Sequence, residues 1–430
     1  MSVGGSERGR GTGTVMTAVA FGLVAALTTF RTAHNLNVPG QWDPPRYGMQ
    51  DFRDVFYYPV VAMLDGRNPY DPAQYLTNYP VGRPLAPYVP TTLLLHLPFG
   101  LLPYSVAGWT HFAMNVALVL ALAFLCLRFA GFAVTPARVF GLGTLILLGR
   151  PAQMTLYIGQ CALYLVIPTY LALWLADRRP FLAGLAFAVT CVKPTFAIPL
   201  GILLLVRGNV VACVWGGGIA ALSLAGVGSV LAHASGGVMP AVESFRGSYA
   251  RLMQDPSANA ASSIIRIDAV AFLSRLLSLG AALEGALTLM IITVGTAAAW
   301  TVERRAGGTR AGGGCRRGLL SFSLACVTIL ACTYHQAYDG LLLTLPILAL
   351  ATGRITGTTA AGRVACGVAL IAMLVPELNY FATSTVVDVH GITGVWRDVI
   401  ALTNGAAMLV AFVTLTSAAF AGCLRGAAST

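Results

Sequence analysis

Two aspartates stand at the head of a long polar stretch in an otherwise apolar chain. Asp51 and Asp54 begin the segment DFRDVFYYPVVAMLDGRNPYD, and the polar and aromatic stretch ends at Pro90. Because the two residues are three apart, their carboxylates share one face if the segment is helical. A carboxylate partly removed from water has a raised pKa and can take a proton from a hydroxyl. The alternative is that both are solvated acids paired with Arg46 or Arg53.

A single positive charge at position 193 lies inside an apolar run. Lys193 is the only lysine of the chain, and the rest of its 27 lysine and arginine residues are arginines. A charged group there costs roughly 2.5–3.5 kcal/mol on membrane-insertion scales, so it indicates a functional site. A phosphate at the hydrocarbon boundary is its expected partner. The alternative is that the lysine extends its charged end to the membrane surface.

His335 and Tyr338 occur in the sequence YHQAYD between two apolar runs. The histidine can donate a hydrogen bond to a phosphate or a sugar hydroxyl, or transfer a proton. A buried histidine bonded to a backbone carbonyl is the alternative. Tyr338 is a candidate for sugar or acceptor binding, or an aromatic anchor at the membrane surface. Other side chains suited to hydrogen bonding with a polyol are Gln160, Asn259 and Ser262, and Tyr88 is a further candidate for sugar or acceptor binding.

The composition indicates what kind of molecule positions these groups. Of the 430 residues, 57% are hydrophobic and 10% are charged, whereas a soluble globular protein has about 25% charged residues. Apolar runs of membrane-spanning length recur along the chain, which predicts an all-α polytopic membrane protein. The net charge of +11 comes mostly from arginines in short loops and does not indicate nucleic-acid binding. The nine cysteines are scattered, so neither a disulfide framework nor a metal site is predicted.

The distribution of arginines predicts about twelve transmembrane segments with both chain ends in the cytoplasm. One membrane domain covers residues 1–430, and its first helix is expected to remain uncleaved. Residues 31–90 are expected to form an external catalytic loop with an interfacial helix. Residues 233–268 form a second external loop, and residues 303–317 form a basic, glycine-rich cytoplasmic loop.

Residues 180–207 allow two interpretations. Both flanks carry arginine, at Arg179 and Arg207, which favours a hairpin of two short helices with Lys193 near its outer tip. A single kinked span is the alternative. If these residues form the hairpin, the polar candidate residues lie at or just inside the external face of the membrane. A site at that surface requires this placement. The candidate residues are Asp51, Gln160, Lys193, Asn259, Arg266 and His335.

Several blocks of the chain occur in an order that is typical of one family. They are GRNPYD, IGQCALYL, AGLAFAVTCVKPTFAIPLGILLLVRG and YHQAYDGLLLTLP. With these blocks the chain resembles glycosyltransferase family 87, whose members use polyprenol-phosphate sugars. The family includes actinobacterial α-mannosyltransferases of phosphatidylinositol mannosides and α-arabinofuranosyltransferases of the cell envelope. The resemblance covers roughly residues 45–350, and it is most specific in GRNPYD and from GQ to KP.

The resemblance implies a GT-C fold, a bundle of transmembrane helices whose large external first loop carries a catalytic aspartate. It implies that a sugar moves from a polyprenyl-phosphate donor to a lipid-linked or polysaccharide acceptor, with inversion at the anomeric carbon. Neither a nucleotide sugar, a cofactor nor an obligatory metal is implied. The implied location is the bacterial plasma membrane, with the active site on its external face and the lipid bilayer as a partner.

The candidate residues correspond to motifs of this family. Asp51 resembles the loop aspartate that acts as general base, and Asp54 competes for that role. Lys193 resembles the lysine of the KP block, and His335 resembles the histidine that opens the tenth span. Gln160 matches the glutamine of the GQ block, although the asparagine that often follows it is absent.

Three further residues are candidates, one from a less specific motif and two from their charge. Asn259, in NAASS, matches the family's N-x-S loop only in part. Arg150 and Arg266 are candidates, with Lys193 and His335, to stabilise the charge that grows on the departing phosphate. The alternative function is a transporter or flippase for a lipid-linked sugar. That function predicts polar residues in mid-span positions and two repeat-related halves, and neither is visible in the sequence.

Overall fold

The computed structural model describes residues 5–36, 46–85, 88–305 and 314–426. Within them, helices make up nearly all of the regular structure, and six are long and apolar enough to cross a membrane. These six are α1 (Gly5–His34), α5 (Tyr104–Phe129), α11 (Val210–Ala234), α14 (Ala281–Arg305), α17 (Ala360–Leu378) and α19 (Gly394–Phe420). The predicted all-α, multi-pass membrane architecture is therefore confirmed.

A bent helix pair supplies one more possible crossing. Helices α6 (Pro136–Leu148) and α7 (Arg150–Ile158) are inclined at 76° to each other. Gly149 between them is extended, with φ −72° and ψ 142°, and Pro151 cannot continue the α6 hydrogen-bond pattern because proline has no backbone N–H. By length and composition the described residues thus contain six spans, or seven with this pair. The predicted total of about twelve is not confirmed.

The remaining elements are shorter. Apolar ones are α8 (Leu163–Leu175), α9 (Pro180–Thr190), α10 (Pro194–Val206), α15 (Gly314–Cys332) and the 3₁₀ segment Ala337–Leu343, which continues into α16 (Thr344–Ala351). Outside these lie α2 (Tyr58–Leu64), α3 (Pro72–Asn78), α4 (Thr92–Gly100), α12 (Val238–Gln254), α13 (Ala269–Leu277) and α18 (Ser384–Val389). Two short strands, β1 (Ile355–Gly357) and β2 (Leu424–Gly426), pair in antiparallel register.

Helices α9 and α10 form the predicted hairpin. Asp177, just before α9, accepts a hydrogen bond from Asn209 (2.7 Å) and pairs with Arg207 (3.4 Å), and both of these residues follow α10. A single helical span would separate these two ends by about 40 Å, because an α-helix rises 1.5 Å per residue. Lys193 therefore lies at the tip of the hairpin, at the opposite end from Arg207.

Segments predicted to be cytoplasmic meet at one end of the bundle. Arg207 pairs with Glu303 (3.0 Å), which accepts a hydrogen bond from Ser321 (2.7 Å). Arg305 donates to the carbonyl of Ala419 (2.9 Å). These contacts bring the end of α10, the end of α14, the start of α15 and the end of α19 together, as the predicted topology requires.

The first predicted external loop contains a buried helix. Residues Phe52–Tyr57 form a π-helical segment that continues into α2, where we expected an interfacial helix. The ring of Phe52 stacks on His111 (4.5 Å between centroids), and that of Phe56 stacks on His96 (4.4 Å). All six residues of the π-helical segment are buried. The segment packs against protein instead of presenting an apolar face to lipid, because aromatic side chains of α4 and α5 are its neighbours.

The other two predicted loops also contain helical residues. Helix α12 lies within residues 233–268, which were predicted to be an external loop, and it is amphipathic. Helix α14 extends to Arg305 and α15 begins at Gly314. Parts of the predicted loops lie outside the described residues, namely 37–45, 86–87 and 306–313.

Candidate active site

Polar candidates surround a large cavity beside the tip of the α9–α10 hairpin. The cavity has a volume of about 1300 Å³. The predicted site residues that line it are Asp51, Tyr88, Arg150, Gln160, Lys193 and Tyr338. Those that do not line it are Asp54, Asn259, Arg266 and His335. The structure thus brings residues from distant parts of the chain to one cavity. Of the two aspartates, it places only Asp51 on the cavity wall.

Asp51 reaches the cavity from the start of the π-helical segment. Just before it, the backbone N–H of Met49 donates to the carbonyl of Tyr157 (2.8 Å) and ties this segment to α7. One carboxylate oxygen of Asp51 accepts from the side-chain amide of Gln160, and the other pairs with the guanidinium of Arg83. The Asp51 side chain is 10% exposed. It is therefore largely removed from bulk water but still open to the cavity.

Gln160 is positioned by the end of α7. Gly159 ends this helix in the left-handed conformation, with φ 74°, and a Cβ atom there would lie 2.6 Å from Cβ of Phe52. Glycine is required because it has no Cβ and adopts positive φ freely. The hydroxyl of Tyr88 donates to the amide oxygen of Gln160 (3.3 Å). This bond orients the amide so that its NH₂ group faces Asp51.

Asp54 lies behind Asp51 and is fully buried. Its carboxylate accepts from Nε (2.7 Å) and Nη2 (3.3 Å) of Arg53, and from the backbone N–H of Gly82 (3.4 Å). Burial raises the pKa of Asp54, and the Arg53 guanidinium opposes that shift. Its oxygens face donors of the protein and not the cavity. Asp54 therefore holds the backbone around Gly82 and does not reach a molecule in the cavity.

Lys193 is paired with Asp339, a residue that is not among the predicted site residues. The lysine Nζ lies 2.8 Å and 2.6 Å from the two carboxylate oxygens, and both side chains are buried. Asp339 also accepts from the backbone N–H of Gln336 (3.2 Å) and so caps the 3₁₀ segment. A carboxylate thus compensates the charge that we assigned to a phosphate partner. Asp339 is also a charged residue between apolar runs. The criterion that identified Lys193 in the sequence could therefore have identified Asp339.

His335 stands behind this pair. Its Nδ1 atom lies 3.0 Å from Asp339 Oδ2, and its backbone N–H donates to Asp268 (3.3 Å). The imidazole packs edge-on against Phe196, with 4.9 Å between ring centroids, and is fully buried. The partner of the ring is a carboxylate and not the backbone carbonyl of our alternative. His335 therefore orients Asp339, and through it Lys193, from outside the cavity.

Arg266 and Asn259 organise a neighbouring segment instead of lining the cavity. Arg266 makes two hydrogen bonds of 2.8 Å to the carboxylate of Asp268. Asn259 donates to the carbonyl of Met253 (3.1 Å) and accepts from the backbone N–H of Ala261 (2.8 Å). Both side chains make hydrogen bonds within the protein, and neither lines the cavity. They therefore do not present these groups to a molecule in the cavity.

Positive charge predominates on the cavity wall. Among its described residues are six cations, Arg31, Arg83, Arg150, Lys193, Arg251 and Arg397, and two carboxylates, Asp51 and Asp255. Tyrosines also recur there, at positions 47, 88, 157, 249, 334, 338 and 380. Such a wall suits a ligand that combines a negative charge with hydroxyl groups.

Arg150 is the most deeply buried of these cations. It is 1% exposed, and one Nη atom donates to the carbonyl of Ala382. Its Nε atom and other Nη atom have no hydrogen-bond partner among the described residues. The carboxylate of Glu377 contributes an opposing charge, but no ion pair within 4 Å joins the two in the described part of the chain. Unused donors on a buried guanidinium are costly unless a ligand satisfies them.

The arrangement combines a carboxylate that can accept a proton with a wall that can hold an anion. No curated protein and no solved structure matches the chain. The model of glycosyltransferase family 87 matches residues 87–334, which is more than half of the chain. This match includes Arg150, Gln160 and Lys193 and leaves Asp51 and His335 outside. The match shows that this membrane protein belongs to glycosyltransferase family 87.

Proposed function

We propose that the protein transfers a sugar from a polyprenyl-phosphate donor to a hydroxyl group of a lipid-linked or cell-envelope glycan acceptor. Asp51 takes the proton of that hydroxyl as its oxygen attacks the anomeric carbon. The bond between the anomeric carbon and the phosphate oxygen breaks, and the polyprenyl phosphate leaves with the bonding electrons. Attack from the side opposite the phosphate inverts the anomeric configuration.

The position of Asp51 is the observation that carries this proposal. Of the two candidate aspartates, Asp51 lines the cavity and Asp54 does not. Asp54 is also engaged by Arg53 and Gly82. A general base must come within hydrogen-bond distance of the proton that it removes. Asp51 therefore has the better geometry for the role of general base.

The charges of the cavity support an anionic donor. Negative charge grows on the phosphate as it leaves, so cations placed beside it stabilise the transition state more than the ground state. Arg150 offers unused donors, and Lys193 keeps a third N–H beyond its two contacts with Asp339. Apolar residues of the same wall suit the polyprenyl chain, and they include Val55, Leu85, Val89, Ile158, Leu252 and Ile264.

We place the reaction at the external face of the bacterial plasma membrane. Nucleotide sugars are cytoplasmic, so an external site needs a donor that the membrane delivers. The predicted topology puts the α9–α10 tip on that face, and Arg207 at the cytoplasmic end. Mannose and arabinofuranose are the sugars that the family resemblance implies for the donor.

The test uses purified protein in lipid vesicles, with polyprenyl-phosphate mannose or polyprenyl-phosphate arabinofuranose and a phosphatidylinositol mannoside or an arabinogalactan fragment as acceptor. Asp51→Asn should abolish transfer from the donor that the wild type uses, while the protein remains folded and inserted. Asp54→Asn should retain most of the activity in its folded fraction. Wild-type rates in Asp51→Asn would contradict the assignment of the base. Efficient transfer from a nucleotide sugar would contradict the donor class.

A further inference from the structure

Arg83 lies on the segment between α3 and α4, before the start of the family match. Its Nη2 atom contacts Asp51, and its Nε atom lies 3.9 Å from Asp54. The neighbouring Gly82 donates its backbone N–H to the same carboxylate of Asp54 (3.4 Å). The buried Arg53–Asp54 pair thus holds the backbone in the place from which Arg83 reaches Asp51.

In this arrangement both oxygens of Asp51 are engaged by donors of the protein. Gln160 donates to one oxygen and Arg83 pairs with the other. An arginine in contact lowers the pKa of an aspartate by about 1–3 units, because it stabilises the charged form. A carboxylate held in this way is a weaker base, and each donor occupies one of the acceptor positions on its oxygens. The departure of one donor would therefore strengthen the base and free an acceptor position for the substrate hydroxyl.

Arg83 is the donor that can move into the cavity. Its side chain is 30% exposed, whereas Gln160 is nearly buried and is oriented by Tyr88. Beyond Asp51, the charge of Arg83 interacts with Asp255 and with hydroxyls of the tyrosine cluster on the cavity wall. A guanidinium forms charge-assisted, two-pronged hydrogen bonds with phosphate. A phosphate bound in the cavity would therefore compete with Asp51 for Arg83.

We propose that Arg83 is an exchangeable counter-ion of Asp51. It pairs with Asp51 until the donor binds, and then turns to the phosphate of the donor. This exchange frees Asp51 to accept a proton only when the sugar is in place. Arg83 is thus a positioning residue for the base and a ligand for the phosphate. The inference rests on the proposed function, because it takes Asp51 as the base and a phosphate as the leaving group.

Other charged or titratable side chains surround this pair. On the helix of Asp51 they include Arg53 and Asp54. Those on the cavity wall are Arg31, Arg150, Lys193, Arg251, Asp255, Arg397 and the tyrosines at positions 47, 88, 157, 249, 334, 338 and 380. Arg83 contacts the carboxylate of Asp51 directly. Its removal should therefore change the titration of Asp51 more than the removal of a cation elsewhere on the wall.

The test measures kcat and kcat/KM for the donor against pH in wild type and Arg83→Gln, at saturating acceptor. At saturating acceptor, the acidic limb of kcat/KM reports the base in the enzyme without donor, and that of kcat reports it in the complex with donor. In wild type the kcat limb should lie at higher pH by about one unit, because Arg83 has left Asp51 in the complex. In Arg83→Gln the kcat/KM limb should move up by about one unit, since the loss of the cation raises the pKa of Asp51. The donor KM should rise at least about tenfold, as expected for one lost charged hydrogen bond.

Arg251→Gln is the matched control. It removes one positive charge from the same wall, and the Arg251 guanidinium donates to Ser248 (3.1 Å). Its kcat/KM limb should stay within a few tenths of a pH unit of wild type. An unmoved limb in Arg83→Gln would overturn the exchange, and so would coincident kcat and kcat/KM limbs in wild type. An active Asp51→Asn variant would instead refute the proposed function, so the two failures are distinguishable.

Discussion

The ammonium of Lys193 and the carboxylate of Asp339 form a buried ion pair, with Nζ 2.8 Å and 2.6 Å from the two oxygens. The pair joins the tip of the α9–α10 hairpin to the 3₁₀ segment that starts at Ala337, across 146 residues of sequence. His335 contacts the same carboxylate from behind. The lysine therefore has a structural partner as well as a position on the cavity wall, and experiments on it must separate these two roles.

Lys193→Met should lower the free energy of unfolding by about 3–5 kcal/mol, because it leaves the Asp339 carboxylate buried without its partner. The double variant Lys193→Met/Asp339→Leu should recover part of that loss, since it removes both charges but leaves His335 and the backbone N–H of Gln336 without their acceptor. Sugar transfer should stay low in both variants. Thermal unfolding in detergent and initial rates per folded protein measure the two effects. Wild-type rates in the double variant would show that the pair is only structural.

Lys193→Arg keeps the charge and changes the shape. We expect at least about a tenfold loss of transfer, equal to roughly 1.4 kcal/mol. A planar guanidinium cannot take the place of a compact ammonium that contacts two oxygens of Asp339 and faces the cavity. Initial rates at several donor concentrations check this. Full activity would show that any cation at the hairpin tip is sufficient.

Asp51→Asn and Asp54→Asn should differ in stability as well as in activity. Asp54→Asn leaves the buried guanidinium of Arg53 without a charged partner, so it should cost about 3–5 kcal/mol. Asp51→Asn should cost about 1 kcal/mol or less, because its partner Arg83 is 30% exposed and regains water. Denaturation midpoints of the two variants measure this. Equal losses would show that Asp54 is not the more strongly held of the two carboxylates.

Gly159→Ala should impair transfer through the position of Gln160. The added Cβ would lie 2.6 Å from Cβ of Phe52, so the end of α7 must shift away from Asp51. We expect at least about a tenfold fall in kcat, as for a displaced hydrogen bond to the base. Gly208→Ala is the control, since Gly208 has φ 83° but its Cβ would meet nothing within 4 Å. Equal losses of kcat in both variants would point to backbone strain alone.

Arg150→Gln should weaken donor binding. The buried guanidinium has two nitrogen atoms without partners among the described residues, and a phosphate would satisfy them. Removal of one charged hydrogen bond costs about 1.5–3 kcal/mol, so the donor KM should rise at least about tenfold while the acceptor KM changes little. Initial rates with each substrate varied in turn distinguish these effects. An unchanged donor KM would remove Arg150 from the phosphate site.

Residue types and their order were sufficient to predict an all-α, multi-pass membrane protein and to name six residues that line the cavity. Hydrocarbon tolerates long apolar helices and makes isolated charges costly. The long apolar helices and the isolated charge of Lys193 can therefore be recognised from the sequence. The arginines on both of its flanks favoured a hairpin around Lys193 over a single kinked span. The number of spans did not follow, because short apolar helices such as α8 and α16 resemble spans in composition.

Only the tertiary structure distinguishes the surroundings of Asp51 from those of Asp54. The two residues have the same chemistry and nearly the same sequence context, but Arg53 and Gly82 hold one of them inside the protein. The sequence also did not show which residue pairs with Lys193, since its partner Asp339 lies 146 residues away. A sequence shows which charges are costly to bury. Which opposite charge compensates each one depends on distances in space, and these arise only when the distant segments pack together.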